Sequence, residues 1–191
     1  MSGKMKKLAV IFPGIGYTVD KPLLHYSRRL AAEAGYEVRL LPYTGFPEKK
    51  PGDTDRIGRS CRIAMEQAQE MLSDLDLAAY EDILFVGKSI GTAVAAELAA
   101  EIPVCGRIRF VMYTPLEETV AFPFIEAVVF TGSADPWTGK EKTRIPALCR
   151  ERGIPCHIIP GANHSLESGD IEEDLRQMQG IMEVTARFIR N

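Results

Sequence analysis

The chain is short of the residues that mark several protein classes. Its 191 residues include one tryptophan, three histidines and four cysteines, with no internal repeat or low-complexity segment. No stretch approaches the roughly 20 consecutive apolar residues that a membrane-spanning helix needs. Neither sign of charge dominates, because 23 basic and 26 acidic residues give a formal net charge of -3. The composition therefore argues against a membrane span, a coiled coil and the basic surface of a nucleic-acid binder.

The cysteines offer no disulfide framework and no metal-ligand spacing. They are scattered without a CxxC pair, at Cys61, Cys105, Cys149 and Cys156. We expect reduced thiols in a cytoplasmic protein, with no metal and no cofactor. Lysines precede the apolar run Leu8–Phe12, as they do in signal peptides. Pro13-Gly14 ends this run after five residues, which is too short for a secretory core.

Six short apolar runs alternate with segments of helical periodicity. The runs are Leu8–Phe12, Val38–Leu41, Ile83–Val86, Ile108–Tyr113, Ala127–Phe130 and Cys156–Ile159. Near-continuous apolar runs are typical of parallel strands that are covered on both faces. Between them, apolar residues recur every three or four positions, and Gly35 and Gly153 are placed to end helices. The alternation predicts an α/β fold, a three-layer sandwich around a mostly parallel six-stranded sheet.

One stretch rich in proline, glycine and lysine interrupts this alternation, from Pro42 to Thr54. A domain boundary there would leave a first part of about 40 residues, which is too small to stand alone. We therefore predict a long loop within a single domain, residues 1–191. The loop follows the second strand, so it leaves the sheet at the carboxyl edge, where α/β proteins place their sites.

The strongest motif is Gly87-Lys88-Ser89-Ile90-Gly91, between the third strand and a helix predicted over Thr92–Glu101. This is the G-x-S-x-G nucleophile elbow in the context it requires. A serine on such a turn has a strained backbone and an exposed hydroxyl, and the flanking glycines let strand and helix approach closely. The competing interpretation is a glycine-rich turn in which Ser89 caps the helix.

A serine nucleophile needs a base, and the base needs a carboxylate. His25 falls in a predicted helix and His157 in the last strand, which favours packing or surface roles. His164 directly follows the last strand and is our candidate base. Asp135 follows the fifth strand and is the candidate acid, although Asp-Pro is also a common turn. The chain order Ser, Asp, His is that of the α/β-hydrolase triad.

An oxyanion hole needs two backbone N–H donors. The first candidate is the amide of Ile90, the residue after the nucleophile. The second lies in the loop after the first strand, where we favour Ile15 and then Gly14. A phosphate-binding G-x-G-x-x-G turn is the alternative there, but Val19 stands where its last glycine would be.

With these motifs the chain resembles the small, lidless α/β-hydrolases that are similar to dienelactone hydrolase. The resemblance covers nearly the whole chain and implies a serine hydrolase acting on esters, thioesters or amides through an acyl-enzyme. It implies that Ser89 is the nucleophile, that His164 is the general base and then the acid, and that Asp135 orients His164.

The chain also departs from these relatives. Dienelactone hydrolase itself has a cysteine nucleophile, and many members carry His-Gly where this chain has Pro13-Gly14. We expect a minimal fold in which the two leading strands are absent. The short connection Thr114–Glu126 leaves no room for a helical lid domain.

Several carboxyl-edge residues are candidates for the substrate pocket: Tyr17, Lys88, Leu116, Phe122 and Trp137. Lys88 either attracts an anionic substrate or simply points to solvent. The leading hypothesis is a carboxylesterase for a small to medium acyl substrate. The alternatives are a catalytically silent binding protein on the same fold, or an acyltransferase or peptidase with the same triad. The expected partner is a small acyl compound, with no nucleic acid and no membrane span, and the sequence leaves the oligomeric state open.

Overall fold

The computed structural model describes residues 6–48, 55–102, 107–120, 122–123, 126–138 and 144–191. Its centre is a six-stranded sheet in which every neighbouring pair of strands is parallel. The strand order is β2-β1-β3-β4-β5-β6. The strands are β1 (Lys7–Phe12), β2 (Glu37–Leu40), β3 (Asp82–Lys88), β4 (Arg107–Tyr113), β5 (Glu126–Gly132) and β6 (Cys156–Ile159). The predicted parallel sheet is confirmed.

Helices cover both faces of this sheet. They are α1 (Pro22–Glu33), α2 (Arg56–Met71), α3 (Ile90–Glu101), α4 (Glu117–Val120), α5 (Arg144–Glu151) and α6 (Ile171–Arg190). Buried residues of α1 and α6 share one hydrophobic cluster, and those of α2, α3, α4 and α5 share the other. Gly35 and Gly153, just beyond α1 and α5, have φ angles of +87° and +67°. This left-handed backbone suits glycine and ends the helices as expected.

The central strand β3 shows how one strand serves both cores. Ile83 and Phe85 pack in the cluster with α2 and α3, whereas Leu84 and Val86 pack in the cluster with α1 and α6. All four side chains are fully buried. Because alternate side chains of a strand point to opposite faces, burial on both sides demands an unbroken apolar run. This is why the sequence pattern located the strands.

A charged cluster lies buried at the amino edge of the sheet, and its arginine, Arg109, belongs to the apolar run Ile108–Tyr113. The Arg109 guanidinium forms an ion pair with Asp82 at 3.0 Å, and the two side chains are 1% and 9% exposed. The Tyr36 hydroxyl donates to Asp82 at 2.6 Å and also contacts Arg109. Arg109 further donates to the backbone oxygens of Phe188 and Ile189 in α6. The cluster therefore joins the sheet to the end of the last helix.

Three other predictions can be compared with the structure over only part of their residues. Cys61, Cys149 and Cys156 are free thiols, and Cys105 lies outside the described residues. In the long loop after β2, residues 42–48 are described and 49–54 are not. The described part of the 114–126 connection contains only the single turn of α4. None of the helices in the described residues combines the length and the apolar character that crossing a membrane requires.

Candidate active site

Ser89 occupies a sharp turn between β3 and α3. Its φ of 54° and ψ of -123° lie in a region that non-glycine residues rarely adopt. The Ser89 amide donates to the backbone oxygen of Tyr113 in β4, and the Ser89 oxygen accepts from the amide and the hydroxyl of Thr92. These bonds hold a strained conformation in place, as is common at functional sites.

The glycines of the motif have a steric role. A Cβ on Gly87 would lie 2.8 Å from the Thr92 Cα, and a Cβ on Gly91 would lie 2.2 Å from the Phe12 carbonyl oxygen. Real Cβ atoms do not approach backbone this closely. The first turn of α3 can therefore pack against β1 and β3 only with glycine at both positions.

Three polar side chains form one hydrogen-bonded chain at the carboxyl edge. His164 Nε2 lies 2.8 Å from Ser89 Oγ, and His164 Nδ1 lies 2.8 Å from Asp135 Oδ2. Asp135 is 1% exposed. Its other oxygen, Oδ1, accepts from the amide of Trp137 at 2.8 Å. The structure thus brings together the three residues that the sequence analysis selected, although 75 positions separate Ser89 from His164.

The loops that carry His164 and Asp135 are joined by two hydrogen bonds. The Ala134 amide donates to the Ala162 oxygen, and the Gly161 amide donates to the Ser133 hydroxyl. A Cβ on Gly132 would lie 2.1 Å from the Ala162 oxygen, so only glycine permits this contact.

The histidine loop is also braced from within and from β4. Asn163 Oδ1 accepts from the amides of Ser165 and Glu167. Thr114 donates its hydroxyl to the His164 backbone oxygen at 3.2 Å. These contacts fix where the imidazole can lie.

The other two histidines lie outside this chain of hydrogen bonds. His25, on α1, contacts Arg28 and the ring of Tyr26. His157, on β6, stacks on Phe130 with ring centroids 5.2 Å apart. Burial lowers the pKa of His157. Both therefore have packing contacts of the kind expected from their positions.

Both residues predicted to supply oxyanion donors, Ile90 and Ile15, line the same cavity as Ser89. Ile90 begins α3, so its N–H has no partner within the helix. The Ile15 N–H donates to no acceptor in the described residues, and the Ile15 side chain lines the same cavity as Ser89. The Gly14 N–H instead donates to the Tyr17 oxygen at 3.1 Å. Gly14 is therefore corrected from a candidate donor to a close-packing residue, since a Cβ there would lie 3.1 Å from the Ser89 Cβ.

A small cavity of about 120 Å³ opens at Ser89 and His164. Its other described lining residues are Ile15, Arg56, Ile57, Ile90, Leu116 and Trp137. Leu116 and Trp137 were pocket candidates in the sequence. The Trp137 ring lies 5.8 Å from the His164 ring and is 54% exposed, so it forms part of the cavity rim.

Tyr17 and Lys88 are not in this cavity, contrary to the sequence-based prediction. Lys88 follows Leu84 and Val86 at alternate positions of β3, so it points to the α1 and α6 face and is 1% exposed. Its ammonium lies 5.1 Å from the Tyr17 ring centroid, and the Tyr17 hydroxyl accepts from the Leu23 amide. Burial lowers the pKa of Lys88 to about 7, against the opposing effects of Asp135 and Glu167.

Phe122 is also not among the described residues that line the cavity. Sequence reasoning missed Arg56 and Ile57. Two signals for this earlier helix start were available: Ile57 stands four positions before Cys61, at a helical spacing, and Asp55 is a residue type that favours the position before a helix.

Comparisons with known proteins agree with this architecture. No family model matches the chain, and no curated protein matches it in sequence. A lidless α/β serine hydrolase from Xanthomonas campestris superposes with a TM-score of 0.61 at 14% identity, over 99% of this chain and 84% of that one. The chain has the α/β-hydrolase fold.

Two further structures with this fold have similar overlap. A predicted CIB-like hydrolase from Thermoplasma acidophilum has a TM-score of 0.64 at 17% identity, covering 100% of this chain and 89% of that one. An esterase from Pyrococcus furiosus has a TM-score of 0.60 at 12% identity, covering 98% and 84%. At these identities the likeness concerns the fold, and the chemistry must be argued from the site.

Proposed function

We propose that the protein is a serine hydrolase that cleaves a carboxylic ester through an acyl-enzyme, with Ser89, His164 and Asp135 as its triad. The observation that carries the proposal is the continuous hydrogen-bonded chain from Ser89 Oγ through both His164 nitrogens to Asp135. A serine hydroxyl becomes nucleophilic when an adjacent base can take its proton. Here the base lies at hydrogen-bond distance and its second nitrogen contacts a buried carboxylate.

In the first half-reaction, Ser89 Oγ attacks the ester carbonyl carbon and His164 Nε2 takes the hydroxyl proton. The resulting imidazolium is stabilised by Asp135, which keeps Nδ1 protonated and the ring correctly oriented. Amide donors at Ile90 and Ile15 stabilise the negative oxygen of the tetrahedral intermediate. His164 then gives the proton to the departing alkoxide as the C–O bond breaks.

In the second half-reaction, water replaces the alcohol. His164 Nε2 takes a proton from water as its oxygen attacks the acyl carbon, and the same amides hold the second oxyanion. Collapse of this intermediate returns the proton to Ser89 Oγ and releases the carboxylic acid. No group beyond the triad and the two amides is required for this cycle.

The size and the lining of the cavity favour a small substrate. A volume of about 120 Å³ is well below that of typical pockets for drug-sized ligands. Its walls at Ile15, Ile57, Ile90 and Leu116 are apolar and suit a small acyl or alcohol group. We therefore expect higher kcat/KM for acetyl and butyryl esters than for long-chain esters.

The test compares wild type with Ser89→Ala on p-nitrophenyl esters of increasing chain length. We expect Ser89→Ala to lower kcat/KM by at least about a thousandfold. The matched control is Ser73→Ala, because the exposed Ser73 hydroxyl bonds to the Glu70 oxygen and to no other described residue. A fluorophosphonate probe should label wild type and the control at Ser89, and it should not label Ser89→Ala.

Undiminished hydrolysis by folded Ser89→Ala would reject the proposal. So would failure of folded wild-type protein both to hydrolyse any ester and to react with the probe. That second result would favour a catalytically silent binding protein. Faster acyl transfer to an added alcohol or amine than to water would instead assign an acyltransferase.

A further inference from the structure

Arg56 is the one side chain with a permanent charge among the described residues that line the cavity. We propose that Arg56 binds an anionic group of the substrate, so that the preferred substrate is a short ester carrying a carboxylate. This inference rests on the proposed function and adds to it the charge of the substrate. Lys88, the cation that the sequence offered for this role, is buried on the other face of the sheet.

The Arg56 side chain is held in place by one of its own donors. Arg56 Nε donates to the Pro47 backbone oxygen at 2.9 Å, and the Arg56 backbone oxygen accepts from the Ser60 hydroxyl at 2.8 Å. Because Nε is engaged, the two terminal nitrogens are the guanidinium donors for which no acceptor is seen among the described residues. Such a fixed, planar donor pair matches the two oxygens of a carboxylate.

The acidic residue next to Arg56 in the sequence pairs with other arginines. Asp55, the preceding residue, lies within 3.6 Å of Arg59 and 3.4 Å of Arg62. In the part of the chain that the structure describes, no carboxylate forms an ion pair with Arg56. A guanidinium that lies beside apolar walls and has no counter-ion among the described residues gains most from a counter-ion brought by the ligand.

The backbone adds to the same preference. Arg56 and Ile57 are the first two residues of the 16-residue helix α2, and both line the cavity. The first N–H groups of a helix lack partners within the helix and carry partial positive charge. The side chain and the helix end therefore favour an anion at the same wall of the cavity.

The size of the cavity limits the separation between this anion and the scissile bond. Ser89, His164 and Arg56 share one volume of about 120 Å³. The carboxylate is therefore expected no farther from the ester carbonyl than a short chain or a single ring allows. Monoesters of short dicarboxylic acids and acyl esters of small hydroxy acids both have this geometry.

The experiment measures a charge preference for ester pairs of matched size. For the alcohol side, 4-acetoxybenzoate is compared with 4-acetoxybenzamide. To place the carboxylate on the acyl part, the p-nitrophenyl monoester of adipic acid is compared with p-nitrophenyl methyl adipate, in which a methyl ester replaces the carboxylate. In at least one pair, wild type should favour the anionic ester in kcat/KM, and Arg56→Met should reduce that ratio by about tenfold or more.

Two further variants separate an anion site from a packing role. Arg56→Lys retains the charge and should restore part of the ratio. Arg62→Met removes the same charge from the exposed side of α2 and should leave the ratio unchanged, because Arg62 is not in the cavity. An unchanged ratio in Arg56→Met, or a wild-type preference for neutral esters in both pairs, would overturn the inference.

A binding measurement separates this inference from the proposed function. Calorimetric titration of Ser89→Ala with 4-acetoxybenzoate and 4-acetoxybenzamide gives Kd values without turnover. Anion preference that Arg56→Met abolishes in this background would support the site even if wild type proved inactive. Ser89-dependent hydrolysis with no charge preference in either rate or Kd would retain the hydrolase and reject the anion site.

Discussion

Gly91 lies directly against Phe12, and a Cβ on Gly91 would stand 2.2 Å from the Phe12 carbonyl oxygen and 2.6 Å from that of Pro13. This contact joins the helix after Ser89 to the loop that carries Ile15. It therefore couples the two backbone segments that supply the proposed oxyanion donors.

Gly91→Ala is expected to be strongly destabilising. A methyl group cannot fit without moving backbone, so we expect the free energy of unfolding to fall by about 3 kcal/mol or more. Urea denaturation followed by circular dichroism measures this change. The matched control is Gly180→Ala in α6, where a Cβ meets nothing within 4 Å and should stabilise by about 0.5–1 kcal/mol. Equal stability of the two variants would contradict the steric role of Gly91.

Asp135→Asn tests the electrostatic part of the triad. The amide has nearly the shape of the carboxylate but cannot stabilise the imidazolium, so we expect kcat to fall by about a thousandfold or more. Esterase assays measure the change, and the thermal midpoint reports whether the fold survives. Asp20→Asn removes an exposed carboxylate that pairs with Arg28, and it should leave kcat unaltered. A kcat within tenfold of wild type in Asp135→Asn would count against the proposed triad.

Lys88 should make stability depend on pH in the alkaline range. Its pKa falls from the usual 10.5 to about 7 in the folded protein, chiefly through burial. Between these values the unfolded chain binds more protons than the folded one, so this group makes the free energy of unfolding rise with pH. Below pH 7 Lys88 is charged in both the folded and the unfolded protein, so the full cost of burying this charge lowers the free energy of unfolding.

Lys88→Met removes this titration. The stability advantage of Lys88→Met over wild type should therefore be largest near pH 6.5 and should shrink towards pH 10. Denaturation curves of both proteins across that range measure the difference, because groups common to both cancel. A difference that stays constant with pH would show that Lys88 keeps its charge when folded.

Arg109→Leu tests the buried cluster at the amino edge. The substitution removes the donor to the backbone oxygens of Phe188 and Ile189, and it leaves Asp82 with the Tyr36 hydroxyl as its remaining side-chain donor among the described residues. Loss of one partner of a buried pair typically costs about 3 kcal/mol or more. The exposed pair of Arg107 and Glu126 provides the control, since Arg107→Leu should cost less than about 1 kcal/mol. Comparable losses in both variants would show that burial does not set the cost at Arg109.

The strands and helices could be predicted because burial imposes an apolar pattern on the sequence. Strands covered on both faces have continuous apolar runs, and helices have apolar residues every three or four positions. The runs at Ile83–Val86 and Cys156–Ile159 fall inside or match strands of the structure. Arg109 shows the limit of that reasoning. A charge within an apolar run is compatible with a buried strand only when the fold supplies partners, here Asp82, Tyr36 and the end of α6.

The amino-acid sequence by itself determined the order of the elements and the three residues after β3, β5 and β6. In a parallel sheet the carboxyl ends of the strands share one edge, so the sequence predicts that Ser89, Asp135 and His164 lie at the same edge. Only the tertiary structure decided which cation lines the cavity. The pleat of β3 turns Lys88 towards α1 and α6, whereas α2 begins early enough to place Arg56 in the same cavity as Ser89. Neither the pleat direction nor a helix start is fixed by apolar periodicity, because both depend on packing against distant segments.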